Sequence, residues 1–243
     1  MSRKAIAVIP ARYGSTRFPA KVIADLGGKP IIQWVYEKAK ASKASAVYVA
    51  TDNPKVADVV KGFGGEVIMT RENHPSGTDR IHEAVSCVEG DVIINVQGDE
   101  PLIPTSVIDE LIDIMLDDEN LEMGTVAVPA ARADFESNPN VVKVVFDNNN
   151  SALYFSRSMI PFKRDDFETD TYRHWGIYAY RRDILDRFVA LPEGRLEQCE
   201  KLEQLRALEN GIKIYVHLSN LESIGIDTPE DLELAEQKIK EMA

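Results

Sequence analysis

The sequence predicts an α/β fold, a Rossmann-like, mixed and mostly parallel sheet with helices on both faces. Short apolar runs alternate with amphipathic segments through the first half of the chain, which is the pattern of a parallel sheet covered on both sides. The 243 residues, 44% of them hydrophobic, suit one globular unit, so we expect a single domain over residues 1–243. The second half is richer in strand-like runs, which predicts a β-rich insertion at about residues 125–185.

Four strand–helix pairs are predicted in the first half. The strands are AIAVI, AVYVATD, EVIMT and DVIINVQ, and the helices are PIIQWVYEKAKAS, NPKVADVVKGFGG, SGTDRIHEAVSCV and TSVIDELIDIML. From Ile32 onward, apolar residues of the first helix recur at i, i+3, i+4 and i+7. Asn53 is the expected cap of the second helix, and Pro54 suits its first turn.

The second half contributes mainly strands. These are TVAVP, VKVVF, ALYFS, HWGIYAY and KIYVHLS, and two helices are predicted at EKLEQLRALENG and TPEDLELAEQKIKEM. The polar run DNNNS is typical of a turn. The apolar stretch ALYFSRSMIPF is consistent with core and equally with a subunit interface.

The composition excludes several classes of partner. A net charge of −12 disfavours nucleic acid and acidic membrane surfaces, so an anionic ligand needs a local basic cluster.

Cys87 and Cys199 lie in no metal or redox motif, and we expect reduced thiols. The run AIAVI is too short for a signal peptide or a membrane span. We therefore expect a cytoplasmic protein without membrane insertion.

Two basic loops follow predicted strands, where ligands of open α/β sheets bind. The stretch VIPARYGSTRFPAK carries Arg12, Arg17 and Lys21, cations suited to a polyphosphate, although it matches neither GxxxxGK[ST] nor GxGxxG. The stretch SGTDR opens a helix. Its Ser76 or Thr78 could simply cap that helix, or the free N–H groups there could bind a ligand.

Two acidic loops follow other strands. NVQGDEP places Asp99 at a buried strand end, where a carboxylate needs a cation or a donor, and Gln97 could bind a ligand hydroxyl. In GIDTPEDLE, helix-start chemistry explains Thr228 and Asp231 but does not require Asp227. Two carboxylates, waters and phosphates are the usual ligands of Mg²⁺. Together, the four loops predict a site for a nucleoside triphosphate with Mg²⁺.

Several separated motifs, in order, carry a family resemblance. They are PARYGSTRFPAK, ATD, SGTDR, NVQGDEP, LYFSR, HWGIYAY, LEQLRALE and DTPEDLE. Along nearly its whole length the chain resembles the cytidylyltransferases that make CMP-3-deoxy-manno-octulosonate (CMP-Kdo synthetases). The resemblance implies a nucleotide-diphospho-sugar transferase fold, a homodimer formed through the β-rich insertion, and the reaction CTP + Kdo → CMP-Kdo + pyrophosphate. It also implies Mg²⁺ as the cofactor and a place in lipopolysaccharide biosynthesis.

The resemblance implies three groups of site residues. Those expected to bind CTP are Ala11, Arg12, Arg17, Lys21, Ser76, Gly77 and Arg80. Asp99 and Asp227 would bind the metal and, with Arg17 and Lys21, form the catalytic set. Those expected to bind the sugar acid are Gln97, Arg157, His174, Glu203 and Gln204. For His174 a second role stays open. Because it lies beside Trp175 in a strand, it could instead be a packed structural residue.

The chain departs from the family motif at two positions, and the sequence leaves several alternative functions open. The family usually has FPGKP where this chain has FPAKV, so Ala20 and Val22 put the loop geometry in question. Other segments resemble a branch that uses 8-amino-3,8-dideoxy-manno-octulosonate. CMP-sialate synthetases have RGGSKG in place of RYGSTR, and sugar-1-phosphate nucleotidyltransferases have a more glycine-rich loop. A non-catalytic nucleotide-binding module is disfavoured, because paired acids repel phosphate without a cation.

Overall fold

The computed structural model describes residues 3–14, 18–167 and 169–242. The strands of this part that form the main sheet are β1 (Ala5–Pro10), β2 (Ala46–Thr51), β3 (Val67–Met69), β4 (Val92–Asn95), β5 (Met123–Pro129), β6 (Lys143–Phe146), β7 (Ala152–Ser156), β8 (Tyr172–Arg181) and β9 (Ile214–Leu218). The helices are α1 (Ile31–Lys40), α2 (Pro54–Gly62), α3 (Gly77–Val85), α4 (Thr105–Asp117), α5 (Arg132–Phe135), α6 (Arg182–Val189), α7 (Arg195–Glu200), α8 (Gln204–Glu209) and α9 (Pro229–Met242).

The sheet is mixed, as the sequence predicts. Its order is β9-β5-β8-β4-β1-β2-β3, and β6 pairs with β8 and with β7. The pairs β9–β5, β4–β1, β1–β2 and β2–β3 are parallel, whereas β8 runs antiparallel to both β4 and β5. The strands β5 to β8 correspond to the predicted β-rich insertion. That this insertion forms a dimer interface stays a prediction.

Helices cover both faces, which confirms the layered arrangement. Alternate residues of β1 face opposite sides, with Ile9 in one apolar core and Val8 in the other. The first core is closed by α1, α2 and α4, and the second by α3, α6 and α8. None of the helices in the described ranges combines the length and the hydropathy needed to cross a bilayer.

Local signals place most helix ends correctly. Asn53 caps α2, because its side chain accepts a hydrogen bond from the Lys55 N–H at 2.9 Å. Thr228 and Asp231 cap each other at the start of α9, with the Asp231 carboxylate 2.8 Å from the Thr228 N–H. The predicted turn at DNNNS is present, since the Asp147 carboxylate accepts from the Ser151 N–H at 2.8 Å.

One predicted helix is shorter than the sequence indicates. The segment EKLEQLRALENG forms only α8, because the chain leaves helical geometry at Lys201, where φ is +54°. The turn buries Leu202 and lets Arg206 of α8 fold back onto Glu197 of α7 in a buried ion pair of 2.6 Å. Helix α6, between β8 and α7, was not predicted.

Candidate active site

Two cavities lie at the carboxyl edge of the sheet, and both contain Asp99 and Asp227. The first has a volume of about 400 Å³ and lies above the ends of β1 and β4. The second, of about 610 Å³, lies beside β8 and the segment that leads into α9. Because the two aspartates line both cavities, they stand where ligands from the two sides would meet.

Lys21 joins the two aspartates. Its Nζ donates to Asp99 Oδ2 at 2.7 Å and to Asp227 Oδ1 at 3.0 Å. The lysine side chain is only 10% exposed, whereas those of Asp99 and Asp227 are 34% and 50% exposed. Burial lowers the pKa of Lys21, but the charges and hydrogen bonds of the two carboxylates outweigh it and hold that pKa above its ordinary value. The ammonium therefore stays charged and offsets one of the two negative charges.

The two carboxylates fit a divalent cation. An oxygen of each lies within 3.0 Å of one positively charged nitrogen, so the chain already brings both to a common cation position. Within the described residues, no group of three or more His, Cys, Asp or Glu is placed to hold a metal. Mg²⁺ commonly completes its shell with waters and substrate phosphates, which suits a two-carboxylate site.

The start of α3 borders the first cavity. Ser76 caps the helix by accepting from the Asp79 N–H at 3.1 Å, so the capping interpretation of SGTDR is confirmed. The N–H groups of Gly77 and Thr78 donate to no residue in the described ranges. Both Ser76 and Gly77 line the cavity. The helix thus offers free donors to a ligand as well as a satisfied cap.

The remaining residues expected to bind CTP occupy different positions. Arg12 is exposed and lines the first cavity, and its side chain makes no ion pair with any described residue. Arg80 also lines it but is paired with Asp52 at 2.9 Å. Ala11 is buried, and its N–H donates to the Ala50 carbonyl oxygen at 2.8 Å. Arg17 lies outside the described residues.

Gly98 shows how closely β1 and β4 meet here. A Cβ atom at this position would lie 2.9 Å from the carbonyl oxygen of Pro10, which is shorter than real Cβ contacts. A glycine is therefore needed next to Asp99. Gln97, which was expected on the sugar side, lines the first cavity, where its Nε2 donates to Asn95 Oδ1 at 3.0 Å.

His174 and Gln204, which the resemblance assigns to the sugar side, line the second cavity. The His174 ring packs against Phe155 and Tyr178, and its Nε2 lies 2.9 Å from the hydroxyl of Thr125. Burial lowers the pKa of His174 to about 3. The imidazole is therefore neutral at physiological pH and adds no positive charge to this cavity.

Glu203 and Arg157 lie elsewhere. Glu203 lines a third cavity of about 180 Å³, which shares Pro75 and Ser76 with the first, and it accepts a hydrogen bond from Thr78 Oγ1 at 2.6 Å. Arg157 lines none of the three cavities, and its guanidinium donates to the Glu200 carbonyl oxygen at 2.7 Å. The structure thus does not bring these two residues to the second cavity.

Glu100 was missed by the sequence reasoning. It lines the second cavity, accepts from Ser223 Oγ at 2.5 Å and lies against Gly225, where a Cβ would approach it to 3.0 Å. Burial and the neighbouring charge of Asp99 raise the pKa of Glu100 to about 7. The residue therefore links the Asp99 loop to the segment that carries Asp227. Its only sequence signal was its place beside Asp99 in NVQGDEP.

Arg173 was missed as well. It lies on β8 directly before His174 and lines the second cavity. Its guanidinium makes no hydrogen bond or ion pair with any residue that the structure describes. The motif HWGIYAY pointed to this strand, but it started one residue too late to include Arg173.

The fold and the paired-carboxylate site define a nucleotidyltransferase, and the chain belongs to the cytidylyltransferase family, whose model matches residues 6–214. The chain is 56% identical to the 3-deoxy-manno-octulosonate cytidylyltransferase of Thermodesulfovibrio yellowstonii, over 96% of each protein. It is 49% identical to the 8-amino-3,8-dideoxy-manno-octulosonate cytidylyltransferase of Shewanella pealeana, over 96% of this chain and 97% of that protein.

A solved structure supports the same family. It is a CMP:2-keto-3-deoxy-manno-octonic acid synthetase complexed with CTP, 45% identical in sequence, with a TM-score of 0.95 over 99% of this chain and 100% of that one. The expected family, fold class and enzyme class are therefore confirmed.

Proposed function

We propose that this protein transfers CMP from CTP to 3-deoxy-manno-octulosonate and releases pyrophosphate. The observation that carries the proposal is the Asp99–Lys21–Asp227 bridge at the junction of the two cavities. The first cavity, with Arg12 and the free N–H groups of α3, suits the nucleotide, and the second suits the sugar acid. The relatives named for this reaction support the assignment.

In the proposed reaction the anomeric hydroxyl of the sugar acid attacks the α-phosphorus of CTP. A new O–P bond forms, the bond to the β-phosphate oxygen breaks, the hydroxyl proton passes to solvent, and pyrophosphate leaves. Holding two substrates in attack geometry supplies roughly 7–11 kcal/mol, against about 3–4 kcal/mol for one well-aimed donor. Alignment therefore dominates, and we expect no covalent nucleotidyl–protein intermediate.

Asp99 and Asp227 would hold Mg²⁺, which supplies charge neutralisation at the phosphates and acidifies the attacking hydroxyl when it is bound. Lys21 now occupies that cation position. A triphosphate in the first cavity would offer Lys21 phosphate oxygens in place of the carboxylates, and Asp99 and Asp227 would then hold the metal. This exchange couples metal binding to nucleotide binding.

A second candidate substrate is 8-amino-3,8-dideoxy-manno-octulosonate. It is favoured by relatives at 48–49% identity that carry this name, compared with 56% for the relative named for 3-deoxy-manno-octulosonate. The higher identity makes 3-deoxy-manno-octulosonate the first choice. The two sugars differ at one substituent, so the chemistry at the aspartates is the same for both.

Pyrophosphate release tests the proposal directly. The protein is incubated with CTP and Mg²⁺ and with each sugar acid in turn: 3-deoxy-manno-octulosonate, its 8-amino analogue and sialate. We expect the fastest release with 3-deoxy-manno-octulosonate. Fastest release with either other acid would replace the substrate. No release with any of them would instead favour a nucleotide-binding module without turnover.

Asp227→Asn tests the catalytic assignment. Turnover should fall by about 10²-fold or more, because the cation would lose one of its two carboxylates. Because the Asp227 side chain is half-exposed, the thermal midpoint should change by no more than a few degrees. Glu230→Gln, an exposed acid in the first turn of α9, is the matched control. Near-normal turnover of the Asp227 variant would remove this residue from the metal site.

Three further features belong to the same proposal. We place the reaction in the cytoplasm and, as the resemblance implies, in lipopolysaccharide biosynthesis. We also propose a homodimer, supported by exposed apolar side chains in the β-rich insertion, Leu153, Phe162 and Phe167, which are 62%, 85% and 77% exposed.

A further inference from the structure

The second cavity is lined by more acidic than basic residues. Its lining includes four acidic residues, Asp99, Glu100, Asp227 and Asp231. Of the lining residues, Arg173 is the one Lys or Arg, and His174 is neutral because burial lowers its pKa to about 3. Lys21 offsets one of these negative charges but lines the first cavity, so an anionic ligand in the second cavity meets a lining cation only at Arg173.

The Arg173 guanidinium is available for such a ligand. It has no hydrogen-bond or ion-pair partner among the described residues, and Arg173 lines the cavity. By contrast, Arg157 donates to the carbonyl oxygens of Glu200 at 2.7 Å and Pro139 at 3.0 Å. Arg173, and not Arg157, is therefore the arginine that can give both arms of its fork to a carboxylate.

We propose that Arg173 binds the carboxylate of the sugar acid. The inference rests on the proposed function, since it identifies which residue recognises the acid group of that substrate. In a 2-keto sugar acid the anomeric carbon bears both the carboxylate and the attacking hydroxyl. Holding the carboxylate at Arg173 therefore also orients the hydroxyl, with Asp99 and Asp227 on the wall that this cavity shares with the first.

The experiment compares Arg173→Met and Arg173→Lys with the unaltered protein at saturating CTP. The substrates are 3-deoxy-manno-octulosonate and its uncharged methyl ester. Arg173→Met should raise the KM for the acid by about 30-fold or more and leave the KM for CTP within about twofold. For the ester, the unaltered protein and Arg173→Met should give similar KM values. Arg173→Lys should recover part of the affinity for the acid, because it keeps the charge but not the fork.

Arg164→Met is the matched control, because Arg164 is exposed and lines none of the three cavities. It removes the same charge and should leave both KM values unchanged. An unchanged KM of Arg173→Met for the acid would overturn the proposal. Equal losses for acid and ester would also overturn it, since they indicate a structural role.

Calorimetry separates this proposal from the proposed function. The sugar acid is titrated into the unaltered protein and into Arg173→Met with EDTA present and no CTP. Binding that Arg173→Met weakens by about 30-fold or more supports the role of Arg173 even if no pyrophosphate is released. Equal binding of the sugar acid by the two proteins overturns the proposal. Absence of binding by either protein also overturns it, and that result is expected if a metal ion holds the carboxylate.

Discussion

At the scale of single residues, Lys21 explains how two carboxylates can share one small volume. Two negative charges so close would repel each other, and the buried ammonium removes that repulsion with hydrogen bonds of 2.7 and 3.0 Å. The same contact means that a metal ion and Lys21 compete for the aspartates. Phosphate oxygens in the first cavity would offer the lysine an alternative partner.

Lys21→Met should separate the two roles of this lysine. Turnover should fall by about 10²-fold or more, because a phosphate-binding charge is lost. The affinity for Mn²⁺ without CTP should rise by about tenfold, because the carboxylates lose their competing cation; an electron paramagnetic resonance titration measures it. Lys29→Met, which breaks an exposed pair with Glu37, should change neither. Unchanged Mn²⁺ affinity in Lys21→Met would contradict competition for the site.

His174 makes a prediction about acid stability. Burial lowers the pKa of His174 to about 3, below the ordinary value of 6.5, so the unfolded chain takes up the proton first. The contribution of the neutral His174 ring to the free energy of unfolding is fully present above pH 6.5. It is lost as the pH falls toward 3, by up to ~5 kcal/mol.

Urea unfolding at pH 7.5 and pH 5 measures this effect. The loss of unfolding free energy between the two values should be smaller in His174→Gln than in the unaltered protein. The exposed His82 provides the control variant His82→Gln, which should follow the unaltered protein. If His174→Gln were as acid-sensitive as the unaltered protein, the buried neutral imidazole would be the wrong explanation.

At the scale of elements, the loop after β1 tolerates the departure from FPGKP at a local cost. Ala20 occupies the left-handed region, with φ +56°, at the place where the family usually has glycine. A Cβ in this conformation costs roughly 1–2 kcal/mol, yet the short 3-10 turn at Lys21–Ile23 still places Lys21 against the aspartates. The substitution therefore strains the loop without removing its function.

Ala20→Gly should raise the free energy of unfolding by about 1 kcal/mol, measured by urea titration, because it removes the left-handed strain. Ala24→Gly is the matched control, since Ala24 has an ordinary φ of −64°. Glycine there should destabilise the protein by increasing the entropy of the unfolded chain. A loss of stability in both variants would show that Ala20 is not strained.

At the scale of the whole molecule, the three most exposed large apolar side chains of the described residues lie in β7 and in the segment between β7 and β8. Sedimentation should give a mass of two chains, because Leu153, Phe162 and Phe167 would be covered by a second copy. The double variant Phe162→Ser/Phe167→Ser should shift the protein toward one chain, whereas Leu234→Ser, at an exposed position of α9, should not. A mass of one chain for the unaltered protein would contradict the dimer.

Much of the fold could be predicted because its signals are local. Apolar periodicity located β1 and α1, and short-range hydrogen bonding located the caps at Asn53 and Thr228. The helix predicted through Lys201 failed because burial of Leu202 and the Glu197–Arg206 pair outweigh helical propensity there. Such tertiary contacts leave no periodic pattern in the sequence.

The amino-acid sequence by itself determined the layered α/β fold, the family, and the two basic and two acidic loops at the carboxyl edge of the sheet. Only the tertiary structure decided how those loops meet. Lys21 and Asp227 are 206 positions apart, and their contact depends on the loop after β1 and the start of α9 converging on the end of β4. The neighbours Glu203 and Gln204 enter different cavities, and Arg173 rather than Arg157 faces the acidic one, because side-chain direction depends on how elements pack.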